Sequence, residues 1–422
     1  MYHHAHTRSL FIGAFNVAGD VLARAGLARP LPDDEAMLAE ARARTNLDDF
    51  GDNSFRAPLR RLLRACREEA ALNYFGRVAT YSGTLQLLVN RLRLRAYRKR
   101  HPDIANVEIR RPIFIVGLPR SGTTLLHGLL AQDPANRAPE TWETMHPPPP
   151  IVPARYGGNP WLAKAERQLR WFQRIAPGFK KIHVVDARAP QECIAITAHT
   201  FASAQFHTTY HVPTYQAWLD TYDHAPCYRF HRHFLQHLQF ARPTARWVLK
   251  APAHLFNLDA LLAEYPDALI VQTHRDPLRV LPSVASLIAA LQAIFGETVD
   301  PLGIGREVAH RWAEGVGRAM RFRAAAGAAR AQFVDVRYDE LSRDPLATVA
   351  RIYRRMDRPL GDEARARMAR YLTENRKAKY GVHAYRLSDF GLVPEREAAR
   401  FRSYCAHHGI DSGAPTPERP AL

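Results

Sequence analysis

The chain has 422 residues, of which 46% are hydrophobic and 24% charged; this is the composition of a globular protein and excludes a mainly disordered chain. Its 59 basic residues outnumber its 41 acidic residues and give a net charge of +18, which predicts an anionic ligand or partner. No uninterrupted apolar run reaches the roughly 18 residues that a transmembrane helix needs. The apolar segment Leu10–Phe15 is short and has no signal-peptide cleavage site after it. We therefore expect a soluble, cytoplasmic protein.

Metal and disulfide frameworks have no support in the sequence. The four cysteines are far apart and form no CxxC pair, and the twenty histidines include no HExxH motif. We expect no metal site.

Residues 1–105 are predicted to be mostly helical. Pro32 is followed by acidic residues that suit the first turn of a helix. Residues 56–98 carry leucines at helical spacing among arginines, and Gly83 is predicted to break this region into two helices. Because no catalytic motif falls here, we interpret residues 1–105 as a helical N-terminal extension.

The pattern changes after residue 105, where short apolar runs alternate with helical periodicity. Such runs are typical of buried parallel strands. The predicted strands are Ile113–Gly117, Arg246–Lys250, Ala268–Thr273 and Gln332–Tyr338. Strands that alternate with helices predict an α/β fold, a P-loop-like parallel β-sheet flanked by helices. We assign residues 106–392 to this domain and residues 393–422 to a C-terminal segment.

The strongest motif is the first loop, Gly117–Thr124, which lies between a predicted strand and a predicted helix. Its glycines and its place before a helix N-terminus suit a phosphate, and Arg120 and two threonines add donors. The spacing is that of a Walker A loop, but Thr123 stands where that loop has lysine. An ATPase or GTPase would lack the lysine that contacts the β- and γ-phosphates.

A second loop, Thr273–Pro277, follows another predicted strand. Arg275 lies at its carboxyl end, where parallel sheets bind ligands. Asp276 and Pro277 suit the start of the next helix, and Ser283 falls about two turns into it. An arginine and a hydroxyl that meet there could hold a second phosphate.

Together the two loops resemble the PAPS-dependent sulfotransferases, in particular the bacterial branch with Arg-Ser-Gly-Thr-Thr in the first loop. The resemblance covers about residues 110–392 and includes Trp142-Glu143 and Leu249–Leu255. It implies that the first loop binds the 5′-phosphosulfate and that an Arg…Ser pair binds the 3′-phosphate. The residues in these roles would be Arg120, Ser121, Gly122, Thr123 and Thr124 for the first, and Arg275 and Ser283 for the second.

The resemblance also implies a reaction: transfer of a sulfuryl group from PAPS, the co-substrate, to an acceptor hydroxyl by in-line attack. Lys250 resembles the family's lysine at the end of a strand and would stabilise the leaving oxygen. For the base we rank His254 first and Glu143 second; Glu140 lies in the same region as Glu143, and Glu192 is a weaker candidate. Each of these side chains could instead be structural.

Two other functions stay open at this point. A P-loop nucleotide kinase would share the strand-loop-helix signal, and a basic anion- or nucleic-acid-binding protein would use the charge of +18. For the sulfotransferase we expect a small-molecule or lipid hydroxyl acceptor, no nucleic-acid partner and possible peripheral contact with a membrane. The aromatic stretch Phe206–Tyr222 favours an apolar acceptor. The sequence leaves the oligomeric state open.

Overall fold

A parallel five-stranded sheet forms the centre of the protein. The structure is a computed structural model that describes residues 10–27, 30–147, 158–175, 186–375 and 385–411. The strands are β1 (Ile113–Gly117), β2 (Asn136–Arg137), β3 (Arg246–Lys250), β4 (Leu269–His274) and β5 (Phe333–Arg337). Their order across the sheet is β2-β3-β1-β4-β5. The four predicted strands and the α/β class are confirmed; β2 was missed because two residues carry no readable apolar pattern.

Helices cover both faces of the sheet and one of its ends. Those in the first half of the chain are α1 (Leu10–Arg24), α2 (Asp34–Thr45), α3 (Arg56–Glu68), α4 (Tyr74–Arg100), α5 (Thr123–Leu130), α6 (Thr141–Met145), α7 (Pro160–Ile175), α8 (Cys193–Thr197) and α9 (Ala204–Thr209). Those that follow are α10 (Pro213–Leu219), α11 (Ala225–Ala241), α12 (Leu258–Glu264), α13 (Pro277–Phe295), α14 (Pro301–Ala325), α15 (Tyr338–Arg343), α16 (Pro345–Arg354), α17 (Asp362–Glu374), α18 (Pro394–Arg400) and α19 (Arg402–His408). Single 3₁₀ turns include Pro252–Phe256 and Leu387–Phe390.

Alternate residues of the central strands face different helices, as the period of two in a strand requires. Phe114 pairs in register with Leu249 and Ile270, and these three belong to the core under α11, α12, α13 and α14. Ile115 and Val248 belong to the opposite core, under α5, α16 and α17. The sheet is therefore buried on both faces. This explains why the sequences of its central strands β1 and β3 are mainly apolar and do not alternate with polar residues.

The N-terminal helices are part of the same folded body. Helices α2, α3 and α4 share one buried cluster with residues 198–227. At the start of α4, the Asn73 side chain accepts a hydrogen bond from Gly76 N–H at 2.7 Å and donates to the carbonyls of Ile294 and Gly296, each at 3.0 Å. Asn73 thus caps α4 and ties it to the end of α13. The domain boundaries at residues 105 and 392 remain predictions from the sequence.

The predicted break at Gly83 is wrong. Helix α4 runs through Gly83 without interruption, and the chain breaks earlier, between α3 and α4. An interior glycine costs a helix about 1 kcal/mol relative to alanine. The buried leucines Leu85, Leu88 and Leu92 that follow it each contribute more than this through burial.

Helix α13 is long and apolar enough to cross a bilayer by length and composition, and it is the one such helix in the described part of the chain. However, 78% of its apolar window is buried inside the protein. Many of its apolar residues belong to the same buried cluster as β1 and β4, which is the environment of a core helix, so its composition alone is weak support for a membrane span.

Buried histidines predict that the protein loses stability in mild acid. Burial lowers the pKa of His231 to about 3 and those of His199 and His237 to about 4. Below about pH 6.5 the unfolded chain binds protons at these rings while the folded chain does not, so the free energy of unfolding falls as the pH is lowered from 6.5 to 4.

The contribution of one ring can be isolated by replacement. Between pH 6 and pH 4, the loss of unfolding free energy in His231→Gln should be smaller than in wild type by about 2–3 kcal/mol. Urea unfolding at the two pH values measures it. His310→Gln, at an exposed position of α14, is the control and should keep the wild-type slope. Equal slopes in all three proteins would contradict this account.

Candidate functional site

The first loop connects β1 to α5 and has a fixed, tight backbone. Gly117 and Gly122 have φ values of 136° and 92°, a region that favours glycine. A Cβ on Gly117 would lie 2.4 Å from the Thr273 carbonyl oxygen, and one on Gly122 would lie 2.8 Å from Leu341 Cδ2. The loop therefore needs both glycines, as the motif predicted.

Ser121 holds this loop against the neighbouring strand. Its hydroxyl is fully buried, donates to the Leu118 carbonyl and lies 2.6 Å from Thr273 Oγ1. Its side chain is therefore engaged within the protein, so Ser121 can offer a ligand its backbone N–H. Thr123 is also buried, whereas Thr124 is exposed at the start of α5.

The second loop meets the first at the carboxyl ends of β1 and β4. The Arg275 guanidinium donates to the Arg120 carbonyl at 2.8 Å and stacks over the Tyr338 ring, 4.0 Å from its centroid. Arg120 Nε donates to Ser283 Oγ at 3.1 Å. Asp276 caps α13 by accepting from Leu278 N–H at 3.0 Å.

Arg120 thus shares one rim with Arg275 and Ser283, which follow it by 155 and 163 residues in the sequence. Arg120 has a φ of 63°, a conformation that is uncommon for non-glycine residues and often marks a functional position. Tyr338, which carries the stacked Arg275, was not among the predicted site residues. The sequence feature that could have identified Tyr338 is its position directly after β5.

Lys250 ends β3 next to the first loop. Its side chain is buried, and its ammonium group donates to Thr124 Oγ1 at 3.4 Å and to Glu192 Oε1. Glu192 directly precedes α8 and is about one-fifth exposed. The structure therefore brings Lys250 to the threonine of the first loop, with Glu192 as its ion-pair partner.

A pair of extended segments carries Glu192 to this position. Gln191 N–H donates to the Pro139 carbonyl at 2.7 Å, and Thr141 N–H donates to the Ala189 carbonyl at 3.1 Å. The chain then turns into α8 at Glu192. No local sequence motif signals this contact, because its two sides are some 50 residues apart.

His254 is directed to the other face of the sheet. Its ring packs edge-on against Phe114, with centroids 5.3 Å apart, and its Nδ1 is 2.7 Å from the Tyr228 hydroxyl. Burial lowers its pKa well below the ordinary value, so the ring is neutral. Lys250 and Val248 are two residues apart in β3, so their side chains lie on the same face of the sheet. On that face, opposite to the one on which His254 packs, Lys250 contacts Thr124 of α5. The spacing of four residues between His254 and Lys250 therefore does not place them side by side.

Glu143 and Glu140 have structural partners. One Glu143 carboxylate oxygen accepts from the buried Arg137 guanidinium, and the other accepts from Glu140 N–H at 2.9 Å. Glu140 accepts from the Trp142 indole at 2.7 Å, and the two glutamates form a capping box on α6. Burial, with Glu143 beside it, raises the pKa of Glu140. Both carboxylates stabilise the start of α6, which pairs with the segment just before Glu192.

A mainly apolar cavity lies behind the end of β3. Its lining includes Cys193 and Ala251, the chain neighbours of Glu192 and Lys250, together with His254. Within the described part of the protein, His254 Nε2 is buried without a hydrogen-bond partner. The cavity also contains the ion pair between Arg311 and Asp220, and Arg311 Nε is a second buried nitrogen of its lining without a hydrogen-bond partner among the described residues. A mainly apolar lining with a few polar groups is typical of a small-molecule site.

One group of possible metal ligands occurs among the described residues: His274, Asp335 and His408, whose ligand atoms lie within 4.8 Å of one another. Both Asp335 oxygens accept from the Arg323 guanidinium, at 2.7 and 2.8 Å. His274 Nδ1 is 3.1 Å from the Tyr404 hydroxyl. The carboxylate is thus already neutralised by a cation, which disfavours metal binding.

Comparison with known proteins identifies the family of the chain. The sequence model of the sulfotransferase family matches residues 112–362, more than half of the chain. Omega-hydroxy-beta-dihydromenaquinone-9 sulfotransferase Stf3 of Mycobacterium bovis is 28% identical over 325 residues, 73% of this chain and 77% of that protein.

Two solved structures are similar over nearly the whole fold. Sulfotransferase STF1 from Mycobacterium tuberculosis H37Rv is 35% identical, with a TM-score of 0.79 over 88% of this chain and 99% of that one. Sulfotransferase STF9 from Mycobacterium avium is 29% identical, with a TM-score of 0.82 over 90% of this chain and 97% of that one. The family match and these likenesses show that the chain belongs to the sulfotransferase family.

Proposed function

We propose that this sulfotransferase uses PAPS as its donor and transfers the sulfuryl group to the hydroxyl of a small-molecule or lipid acceptor in the cytoplasm. The observation that carries the proposal is the shared rim of Arg120, Arg275 and Ser283 at the carboxyl ends of β1 and β4. Two guanidinium groups and a hydroxyl on one rim suit a phosphate group. PAPS carries such a group on its 3′-oxygen, in addition to its 5′-phosphosulfate.

The first loop fits the 5′ end of the donor. Gly122, Thr123 and Thr124 lead into α5, whose first backbone N–H groups have no partner within the helix. Thr124 adds a hydroxyl, and Arg120 adds a positive charge. Arg275 and Ser283 would hold the 3′-phosphate. Thr123 in place of the Walker lysine disfavours the kinase alternative.

Lys250 would supply the positive charge that the reaction needs. In-line transfer moves negative charge onto the departing phosphate oxygen, and a fixed cation stabilises that charge in the transition state. Lys250 contacts Thr124 of the first loop, so it lies where the 5′-phosphosulfate would bind. Glu192 holds the lysine in place when no donor is bound.

For the proton of the acceptor hydroxyl we now favour Glu192 over His254. Glu192 contacts Lys250 and is partly exposed, whereas His254 packs on the opposite face of the sheet. Glu143 and Glu140 rank below both, since their oxygens already have partners on α6 and on Arg137.

The cavity behind β3 is the proposed acceptor site. Its lining includes Cys193 and Ala251, the chain neighbours of Glu192 and Lys250, and this supports an acceptor position near the transferring group. Its apolar walls suit an apolar alcohol. The relative Stf3 is named for a hydroxylated menaquinone, and we propose an acceptor of similar apolar character here.

Binding of adenosine 3′,5′-bisphosphate (PAP) tests the donor site. Arg275→Ala should weaken PAP binding about 10- to 150-fold, the equivalent of a charged hydrogen bond worth about 1.5–3 kcal/mol. Binding of adenosine 5′-phosphate, which lacks the 3′-phosphate, should change little. Isothermal titration calorimetry measures both constants.

The matched control is Arg306→Ala, which removes an exposed arginine of α14 that lies 3.9 Å from Asp300 and should leave both constants unchanged. Equal weakening of the two nucleotides by Arg275→Ala would contradict the assignment. Binding of DNA with a steep salt dependence, and of neither nucleotide, would favour the nucleic-acid alternative.

A further inference from the structure

Helix α1 is apolar on two opposite faces, and the protein covers one of them. Ile12 is fully buried, and the Phe15 ring contacts those of Tyr74 and Phe75, with centroids 5.2 and 6.1 Å apart. A Cβ on Gly19 would lie 2.0 Å from the Tyr74 ring. This close approach fixes α1 on α4, so the position of the helix is set by packing.

The other face of α1 is exposed. Large apolar side chains there and just after it are exposed by between 36% and 68%: Phe11, Val17, Val21, Leu22 and Leu27. The Phe11 ring meets Trp171 of α7 edge-on, at 6.1 Å between centroids, and Trp171 is itself 49% exposed.

This concentration of exposed apolar side chains is unusual for a surface. The described part of the chain has nine large apolar side chains with this degree of exposure, and six of them belong to α1, to Leu27 after it or to Trp171. Single exposed apolar residues are common on proteins, but a contiguous group marks an interaction surface.

Basic residues flank the apolar face. Helix α7 carries four cations, Lys164, Arg167, Arg170 and Arg174, against the single anion Glu166. The three arginines are exposed on the same helix as Trp171. Helix α1 itself has two charged residues of opposite sign, Asp20 and Arg24. The face thus joins an apolar stripe to a positive edge.

We propose that this α1–α7 face docks on the surface of a bilayer that contains anionic lipids. The face consists of Phe11, Val17, Val21, Trp171, Arg167, Arg170 and Arg174. Apolar residues that enter the headgroup boundary, a tryptophan at its edge and flanking arginines are the features of a helix that lies in the membrane plane. A second copy of the chain is a poorer occupant, because each copy carries a charge of +18 and the positive edges would repel.

The docking face is also connected to the proposed donor site. Helix α13 carries Ser283 near one end and Phe295 at the other, and the Phe295 ring stacks on Phe75 under α1 at 5.9 Å. Phe295 is twelve residues after Ser283 in this helix, an axial distance of about 18 Å. The docking face and the proposed donor site therefore lie at opposite ends of α13 and do not share residues.

Vesicle co-sedimentation tests the proposal. The probes are vesicles of phosphatidylcholine alone and of an equal mixture of phosphatidylcholine and phosphatidylglycerol. Wild type should bind the anionic vesicles, and more weakly as salt is raised. The double variant Val17→Asp/Val21→Asp should lower this binding on the order of tenfold or more.

The matched control is Leu302→Asp/Val393→Asp, which changes two exposed apolar residues outside the face and should keep wild-type binding. Circular dichroism checks that both variants fold, and PAP binding should be unchanged in both, which separates this proposal from the donor site. The proposal is overturned if wild type does not bind the anionic vesicles, if it binds neutral vesicles equally well, or if both double variants lose binding alike. A wild-type dimer that Val17→Asp/Val21→Asp converts to monomer would assign the face to a second copy instead.

Discussion

The Lys250→Met variant is expected to lose about 10²–10³-fold in kcat, the usual effect of removing one group that stabilises charge in a transition state. The affinity for PAPS should change far less, because the cation matters most when the leaving oxygen becomes anionic. Methionine keeps most of the side-chain volume in this buried position. Steady-state kinetics and PAP calorimetry separate the two effects.

The control for this variant is Lys99→Met, which removes the surface ion pair between Lys99 and Asp49 and should keep the wild-type rate. Lys250→Met also leaves Glu192 without its partner, so Lys250→Arg, which keeps a cation beside Glu192, is the comparison variant. We expect Lys250→Arg to retain more of the rate than Lys250→Met, because the positive charge is preserved. A wild-type kcat in Lys250→Met would contradict the role we assign to it.

Glu192→Gln is expected to lower kcat by about 10²–10⁴-fold, the range for a lost general base. The amide oxygen of glutamine can still accept a hydrogen bond from Lys250, so the lysine should keep its position. The amide cannot accept the proton of the acceptor hydroxyl. A phenol acceptor of low pKa should recover part of the rate, since it needs less help to lose its proton.

His254→Gln is the matched comparison, since it introduces the same residue at the other candidate base. It should retain most of the activity, because His254 contacts Phe114 and Tyr228 in the core rather than Lys250. If His254→Gln loses activity and Glu192→Gln keeps it, the histidine is the base and the carboxylate only positions the lysine.

The sequence predicted the sheet because its central strands are buried on both faces. Ile113–Gly117 is apolar throughout, and Arg246–Lys250 is apolar between its two charged ends. Short apolar runs of this kind are typical of strands in a buried parallel sheet. The two ligand loops were also predictable. Their glycines, arginines and hydroxyls follow strands directly, and neighbouring parallel strands bring such loops together.

What the sequence could not show depends on contacts between distant segments. Gly83 suggests a break, but the leucines after it are buried in the cluster that α4 shares with α2, α3 and residues 198–227, and this burial outweighs the local cost of the glycine. Glu143 reads as a free acid beside Trp142, but the buried Arg137 is its partner. Glu192 lies 58 residues before Lys250 in the chain, and no local pattern links them.

His254 shows how spacing can mislead where a strand ends. Four residues would place two side chains on one face of an α-helix. Here Lys250 is the last residue of a strand and His254 belongs to a 3₁₀ turn, so the chain changes direction between them. Which face each side chain takes is decided by the sheet register, with Phe114 under the histidine.

Transfer of labelled sulfate is the most direct measurement of the central claim. The purified protein is incubated with sulfur-labelled PAPS and a pool of apolar alcohols and phenols, in the presence of a metal chelator. The account predicts label in an acceptor product together with an equal amount of PAP. Absence of sulfate transfer, with phosphate transfer from ATP and magnesium to an acceptor in its place, would contradict it.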